Sequence, residues 1–186
     1  MTNVRIIQTT QELSGRWTIP ILLTLQQAGG RFTPLGRQLE ISPSRLSSNL
    51  KKLEEQGIIK HLSPYDRRHP LLPEYQLTEK GLFLREAAQA IQAAESGLDR
   101  GFLAEKSWNW PVMLALHYQC HRFQAIRKLL QSATPRILTM RITELCEQEI
   151  VQKLLTTEPR PGFNYWLQPD AEPSVQKLEK DLYSLI

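Results

Sequence analysis

Apolar residues near the start of the chain recur at helical spacing. Ile19, Leu22, Leu23 and Leu25 share one side of a segment from Trp17 to about Ala28. Pro20 fits that helix only in its first turn, where a missing N–H leaves nothing unpaired. Gly29-Gly30 ends it. Phe32, Leu35 and Leu39 then mark a second, short helix from Phe32 to Leu39. Ser42-Pro43 joins an N-cap residue to a proline at the first helical position. The helix it opens carries Leu46, Leu50 and Leu53 inward and stops at Gly57. Beyond that point the chemistry changes. Ile58 to Leu62 is strand-like, Ser63 to Leu72 is loop, and Glu74 to Leu77 alternates as a returning strand. Thr78-Glu79 opens a further helix. Two helices on a tight turn followed by a hairpin predict a winged helix-turn-helix.

The same pattern returns. Trp17-Thr-Ile-Pro-Ile-Leu-Leu-Thr-Leu25 reappears as Trp108-Asn-Trp-Pro-Val-Met-Leu-Ala-Leu116, and Arg31-Phe32 as Arg122-Phe123, each 91 positions later. Six of the 16 positions from Trp17 to Phe32 are identical, which identifies a duplication of a whole small domain. One residue further out of step, Pro43, Leu46, Leu50, Leu53, Ile58 and Ile59 face Pro135, Leu138, Ile142, Leu145, Ile150 and Val151. The expected architecture is mainly α with small β-hairpins, an α+β chain of two tandem winged helix-turn-helix domains. Residues 1–100 form the first, with a connecting helix at its end, and residues 101–186 the second, diverged copy. The alanine-rich Leu82–Leu98 stretch predicts that long connecting helix. Val175, Leu178, Leu182 and Leu185 predict another helix at the C-terminus. These two helices are expected to meet in an intramolecular pseudo-dimer or to pair in a homodimer.

Composition refines this reading modestly. The 186 residues, 41% hydrophobic, are enough for two small cores. With 23 Lys+Arg against 19 Asp+Glu the net charge is +4, and the pI near 9.2 permits an acidic partner without requiring one. The surplus is concentrated in residues 1–100, with 13 basic and 10 acidic residues against 10 and 9 in the remainder. Met1-Thr-Asn-Val-Arg5 leads into no signal-like apolar run, and no stretch approaches the roughly 20 residues that span a bilayer. The expected address is the cytoplasm, with no membrane partner. Cys120 and Cys146 occupy unmatched positions of the repeat, so no disulfide framework is expected.

The pieces of the first copy resemble a known family. Gly15-Arg-Trp-Thr-Ile-Pro-Ile-Leu22, Arg31-Phe32, Ile41-Ser-Pro-Ser-Arg-Leu-Ser47, Leu50-Lys-Lys-Leu-Glu-Glu-Gln-Gly-Ile-Ile59 and Glu74-Tyr-Gln-Leu-Thr-Glu-Lys-Gly81 are similar, in order and spacing, to the HxlR-type winged helix-turn-helix regulators. The likeness covers about residues 12 to 85. It implies a bacterial or archaeal transcription regulator that binds DNA as a dimer paired through its terminal helices. The chain departs from the usual member in having two domains. It also lacks the cysteine near the N-terminus that many sensing members carry.

Helix geometry selects the DNA-reading candidates. With Leu46, Leu50 and Leu53 inward, the opposite face holds Ser44, Ser48 and Lys51, flanked by Arg45, Ser47 and Lys52. These residues offer donors to base edges and phosphates, and no acid interrupts them before Glu54. Arg67, Arg68 and His69 at the wing tip are expected to grip phosphate or the minor groove. In the second copy the equivalent face is thinned: Arg45 becomes Ile137, Lys51 becomes Thr143 and Lys52 becomes Glu144. An acid there would face phosphates, so this copy is expected to be a weaker reader or a built-in pseudo-partner. Arg136 and Arg141 remain as its candidate contacts.

Other constellations are weaker. His117, Cys120 and His121 lie within five residues, but the turn expected after His117 separates them, so no metal site is assigned. Trp108 repeats Trp17 and reads as packing, whereas Trp166 replaces Gln76 on an outward strand face. No paired carboxylates, nucleophile elbow, phosphate-cradling loop or dinucleotide fingerprint occurs, and neither enzymatic activity nor a cofactor is expected. The expected function is sequence-specific binding of double-stranded DNA in transcription regulation. The alternative is a winged-helix protein-interaction module or scaffold that does not touch DNA.

Overall fold

The computed structural model describes residues 2–186. The predicted mainly α, α+β architecture with two small hairpins is the one observed. Helices α1 (Thr2–Glu12), α2 (Thr18–Thr24), α3 (Phe32–Leu39) and α4 (Pro43–Glu55) precede hairpin β1 (Ile59–His61) and β2 (Tyr75–Leu77). Helix α5 (Glu79–Leu98) follows. The second copy then runs through a 3-10 turn at Leu103–Glu105, α6 (Asn109–His117), α7 (Phe123–Leu129), α8 (Pro135–Glu147), hairpin β3 (Val151–Thr156) and β4 (Gly162–Leu167), and α9 (Glu172–Leu185). By contact the residues divide into two compact units, Gly15–Gln89, and Met1–Ser14 together with Ala90–Ile186.

In the Gly15–Gln89 unit the apolar stripes converge as their spacing requires. Ile19, Leu22 and Leu25, Leu35 of α3, and Leu46, Leu50 and Leu53 of α4 are all buried, with Ile58, Ile59 and Leu77 from the hairpin. Each such side chain contributes roughly 1.5–3 kcal/mol through removal from water. Regular helix α2 closes at Thr24, earlier than the apolar pattern suggests. Its hydrogen bonding nevertheless continues through the turn, with Ala28 N donating to Thr24 O at 3.0 Å and Gly30 N to Leu25 O at 2.9 Å. Gly30 has φ 71°, and a Cβ there would lie far inside contact with the Tyr75 carbonyl oxygen, so the turn and β2 touch backbone to backbone. Tyr75 N donates to Gly30 O at 2.7 Å. The hairpin pairs antiparallel, Ile59 with Leu77 and His61 with Tyr75.

The other unit is organised around α6, whose residues from Asn109 to Leu116 are all buried. Helices α1 and α9 pack on it, supplying Ile6 and Ile7, and Val175, Leu178 and Leu182. Leu138, Ile142 and Leu145 of α8 close the core as their counterparts do in α4. The repeated tryptophans Trp17 and Trp108 take equivalent places, as the N-caps of α2 and α6. Both are half-buried, and Trp110 is fully buried. The late part of α5 is fixed by Glu95, whose Oε1 accepts from Ala104 N at 2.7 Å and Trp110 Nε1 at 3.0 Å. Strands β3 and β4 pair over six residues each, Val151 with Leu167 through Thr156 with Gly162, twice the length of the first hairpin.

Candidate nucleic-acid interface

Helix α4 starts at Pro43 after an extended Ser42, though the Ser42 side chain makes no capping bond. Burial of Leu46, Leu50 and Leu53 leaves Ser44, Arg45, Ser47, Ser48, Lys51 and Lys52 all exposed. Among the described residues no ion pair engages Arg45 or Lys52. Lys51 meets only Glu55, 4.0 Å away between two exposed side chains, a pairing worth about 0–1 kcal/mol. The face is therefore positive, rich in hydroxyls and free to exchange solvent for a ligand.

The first wing is built differently from its sequence expectation. Arg67 is half-buried and turned back on the hairpin: Nε donates to Leu62 O at 2.8 Å, one terminal nitrogen to Pro70 O at 3.1 Å, and the other lies 3.0 Å from His61 Nε2. His61 in turn stacks on Tyr75, with ring centroids 4.7 Å apart. Arg68 is held by Glu74, through its backbone N and its Nε at 3.0 Å each, and also donates to the Gly29 carbonyl. The hydrogen bond from the Arg68 backbone, reinforced by its guanidinium and by Arg31, holds the Glu74 carboxyl below the ordinary carboxylate range. The two arginines thus brace the wing, one within it and one to the turn after α2. His69 is exposed, its Nδ1 accepting from Leu71 N at 3.3 Å. The most exposed apolar side chains of the wing are Tyr65, 97% exposed, and Leu71, 84% exposed. Sequence reasoning passed over both, because the basic run drew the eye.

Helix α8 repeats the geometry with other residues. Thr134 caps it, its Oγ1 accepting from Ile137 N at 3.3 Å. Arg136, Thr139, Met140 and Thr143 are exposed on its outer face. Arg141 is not: its side chain is 11% exposed and paired with Glu144. Glu144 also meets Lys106 Nζ at 3.2 Å, and these two cations hold its carboxyl low in spite of partial desolvation. The acid expected to repel phosphate is thus neutralised in place. In the second wing Arg122 supplies the brace, donating to Glu158 O at 3.0 Å and Arg160 O at 3.3 Å. Leu154, Leu155, Phe163 and Trp166 are exposed on this hairpin. Lys153 Nζ lies 4.0 Å from the Phe163 ring centre, and Trp166 stacks on His121 at 3.5 Å.

The model of the HxlR-like helix-turn-helix family matches the chain twice, over residues 12–97 and 103–181. The chain belongs to that family. HTH-type transcriptional regulators of Mycobacterium bovis and Mycobacterium tuberculosis are each 32% identical to it over 154 residues, 82% of this chain and 84% of theirs. The crystal structure of diamide-treated YodB from B. subtilis is 23% identical, covering 48% of this chain and 85% of that one, with a TM-score of 0.39. Membership of the HxlR-like family supports a DNA-binding regulator, a class whose members are generally not enzymes.

The two histidines that bracket Cys120 in this HxlR-like chain are engaged separately. His117 Nδ1 lies 2.6 Å from Glu172 Oε1, whereas His121 lies 3.0 Å from both Tyr165 O and Gln119 Oε1. Among the described residues no three His, Cys, Asp or Glu side chains gather where they could share a metal ion. Both cysteines are free and half-buried, and burial pushes their thiols up rather than activating them. No helix among the described residues is long and apolar enough to cross a membrane.

Proposed function

We propose that this protein is a cytoplasmic, sequence-specific DNA-binding transcriptional regulator in which the first winged helix is the main reader. The outer face of α4, free of acid until its last turn, carries the proposal. Ser44, Arg45, Ser47, Ser48, Lys51 and Lys52 are exposed together on a helix that follows a tight turn, the arrangement that places a recognition helix in the major groove. In this reading His69 meets DNA from the wing, and Arg67 and Arg68 shape the wing that presents it. The second winged helix is the weaker reader, with Arg136 its main basic contact, or a built-in pseudo-partner. Fusing two copies replaces a diffusing subunit with a tethered one, so an intramolecular pseudo-dimer follows naturally, and pairing of two chains would give four winged helices.

The test is a salt titration of the full-length protein on a labelled random duplex, beside the Arg45→Ala, Lys51→Ala double variant. Affinity should fall linearly on logarithmic axes, with a slope near −0.9 per phosphate neutralised. The variant should bind more weakly, and its slope should be shallower by up to about 2 if both cations contact phosphate. Unchanged binding by a folded variant rejects the assignment of the face. A second reading, a protein-interaction module, draws on the exposed Leu154, Leu155, Phe163 and Trp166; failure of the intact chain to bind any duplex at low salt would favour it.

A further inference from the structure

Removal of Glu144 from the electrostatic ledger of α8 changes what the second recognition helix can do. Its carboxylate is shared between Lys106 and Arg141, so the outward stripe is left with Arg136, Thr139, Met140 and Thr143. Arg136, Met140 and Thr143 are four and three apart, Thr139 lies beside Met140, and together they form one continuous strip of helix surface. Arg136, at the N-terminal end, makes no ion pair among the described residues. The Thr139 hydroxyl donates to its own helix at Pro135 O, 2.9 Å away, which leaves the methyl as its apolar contribution. Met140 is 42% exposed with no polar atom that competes for water. Glu147 is the nearest exposed acid, a full turn beyond Thr143 at the C-terminal end. Where α4 presents hydroxyls and ammonium groups, α8 presents methyls behind one guanidinium.

In the major groove the one apolar group on a base edge is the C5 methyl of thymine, and threonine methyls and other apolar side chains are its natural contacts. We propose that α8 reads double-stranded DNA through thymine methyl groups, with Thr139, Met140 and Thr143 against the methyls and Arg136 on the phosphate backbone. The inference rests on the proposal that the chain binds DNA. It replaces a disabled second copy with a reader of different chemistry. DNA is the favoured occupant because the strip occupies in α8 the place of the basic face in α4. It carries Arg136 itself, and the exposed Lys153 of β3 lines the same surface pocket as Thr139 and Thr143. The two halves of the recognised site then differ in kind, one read by hydrogen bonds and the other by methyl contact.

Deoxyuridine supplies the test, since replacing thymidine with it deletes the methyl and keeps every hydrogen-bonding edge. Full-length protein selects duplexes from a random pool, and the selected duplex is remade with deoxyuridine, block by block. The wild-type chain should lose affinity by about fourfold for each contacted methyl, the equivalent of one buried methyl-sized group, in one block of the site. The Thr139→Ser, Met140→Ser, Thr143→Ser variant, changed only at exposed positions, should bind the two forms of that block equally while keeping the wild-type circular dichroism spectrum. Equal binding of both forms by the wild-type chain overturns the inference and leaves the DNA-binding proposal intact. So does a methyl effect that the triple variant retains. Absence of binding to any duplex at low salt removes both.

Discussion

Replacement of Gly30 by alanine tests how the first wing is anchored. The residue sits at φ 71°, where a side chain costs about 1–2 kcal/mol. The new methyl would also collide with the Tyr75 carbonyl oxygen, backbone that cannot rotate away. Relief requires β2 to move off the turn, which gives up the 2.7 Å bond from Tyr75 N to Gly30 O, worth about 1 kcal/mol. The total is about 2–3 kcal/mol. Gly57→Ala is the internal control: its φ of 68° is similar, but nothing lies within 4 Å of the added Cβ. Its cost is the conformational one, partly offset by a stiffer unfolded chain, or about 1 kcal/mol. Equilibrium urea unfolding of the full-length protein measures both. With a slope of about 2 kcal/mol per M, the Gly30→Ala midpoint should fall about 0.5–1 M below that of Gly57→Ala. Equal midpoints would refute the claim that turn and wing meet backbone to backbone.

Leu50→Ala and Ile142→Ala each empty a buried position in a different compact unit and should each lose about 2–5 kcal/mol by urea unfolding. The double variant should show the sum to within about 0.5 kcal/mol. Burial raises the Glu95 carboxyl above its ordinary value of 4.5, against the opposing bonds from Trp110 and Ala104. A raised acid contributes stability that is present below that ordinary value and lost as pH rises through the raised one. Glu95→Gln, neutral throughout and still an acceptor, should therefore flatten the stability profile across that window; an unchanged slope would show that Glu95 does not titrate there. Iodoacetamide at neutral pH should label Cys120 and Cys146 more slowly than free cysteine, because burial raises both thiols. Faster labelling of either would contradict that environment.

What the sequence disclosed depended on the range of the interaction. Helix α3 and the start of α4 follow from local signals, apolar spacing and a Ser-Pro cap, and both were legible. The repeat carried that reading into the second copy, where Leu138, Ile142 and Leu145 are buried as their partners are. Helix α1 was missed because its two isoleucines lie among threonines and glutamines, and its burial is decided by α6 and α9, about a hundred residues or more away. The exposed face of α4 was readable because its residues need only point away from the core. The bracing roles of Arg67 and Arg68 were not, since the partners are backbone carbonyls of Leu62, Pro70 and Gly29 that only the folded hairpin assembles. The quenching of Glu144 by Lys106 has the same origin: a charge is written in the sequence, but its nearest neighbour is not.

The membership of the two units has a consequence for how the protein is made. Every residue of the Gly15–Gln89 unit is contiguous, so all its contacts are available once that stretch has left the ribosome. Helix α1 is synthesised before it, yet packs on α6 and α9. At roughly 5–20 residues per second, Ile6 and Leu13 wait about ten to forty seconds for Val175, Leu178 and Leu182 to arrive. Throughout that interval the isoleucines of α1 lack the cover that α9 provides, on a nascent chain whose Gly15–Gln89 unit has already been synthesised in full. A ribosome stalled before α9 would therefore release a product whose Gly15–Gln89 unit is whole while α1 lacks the partner that α9 supplies, a natural substrate for chaperones and proteases.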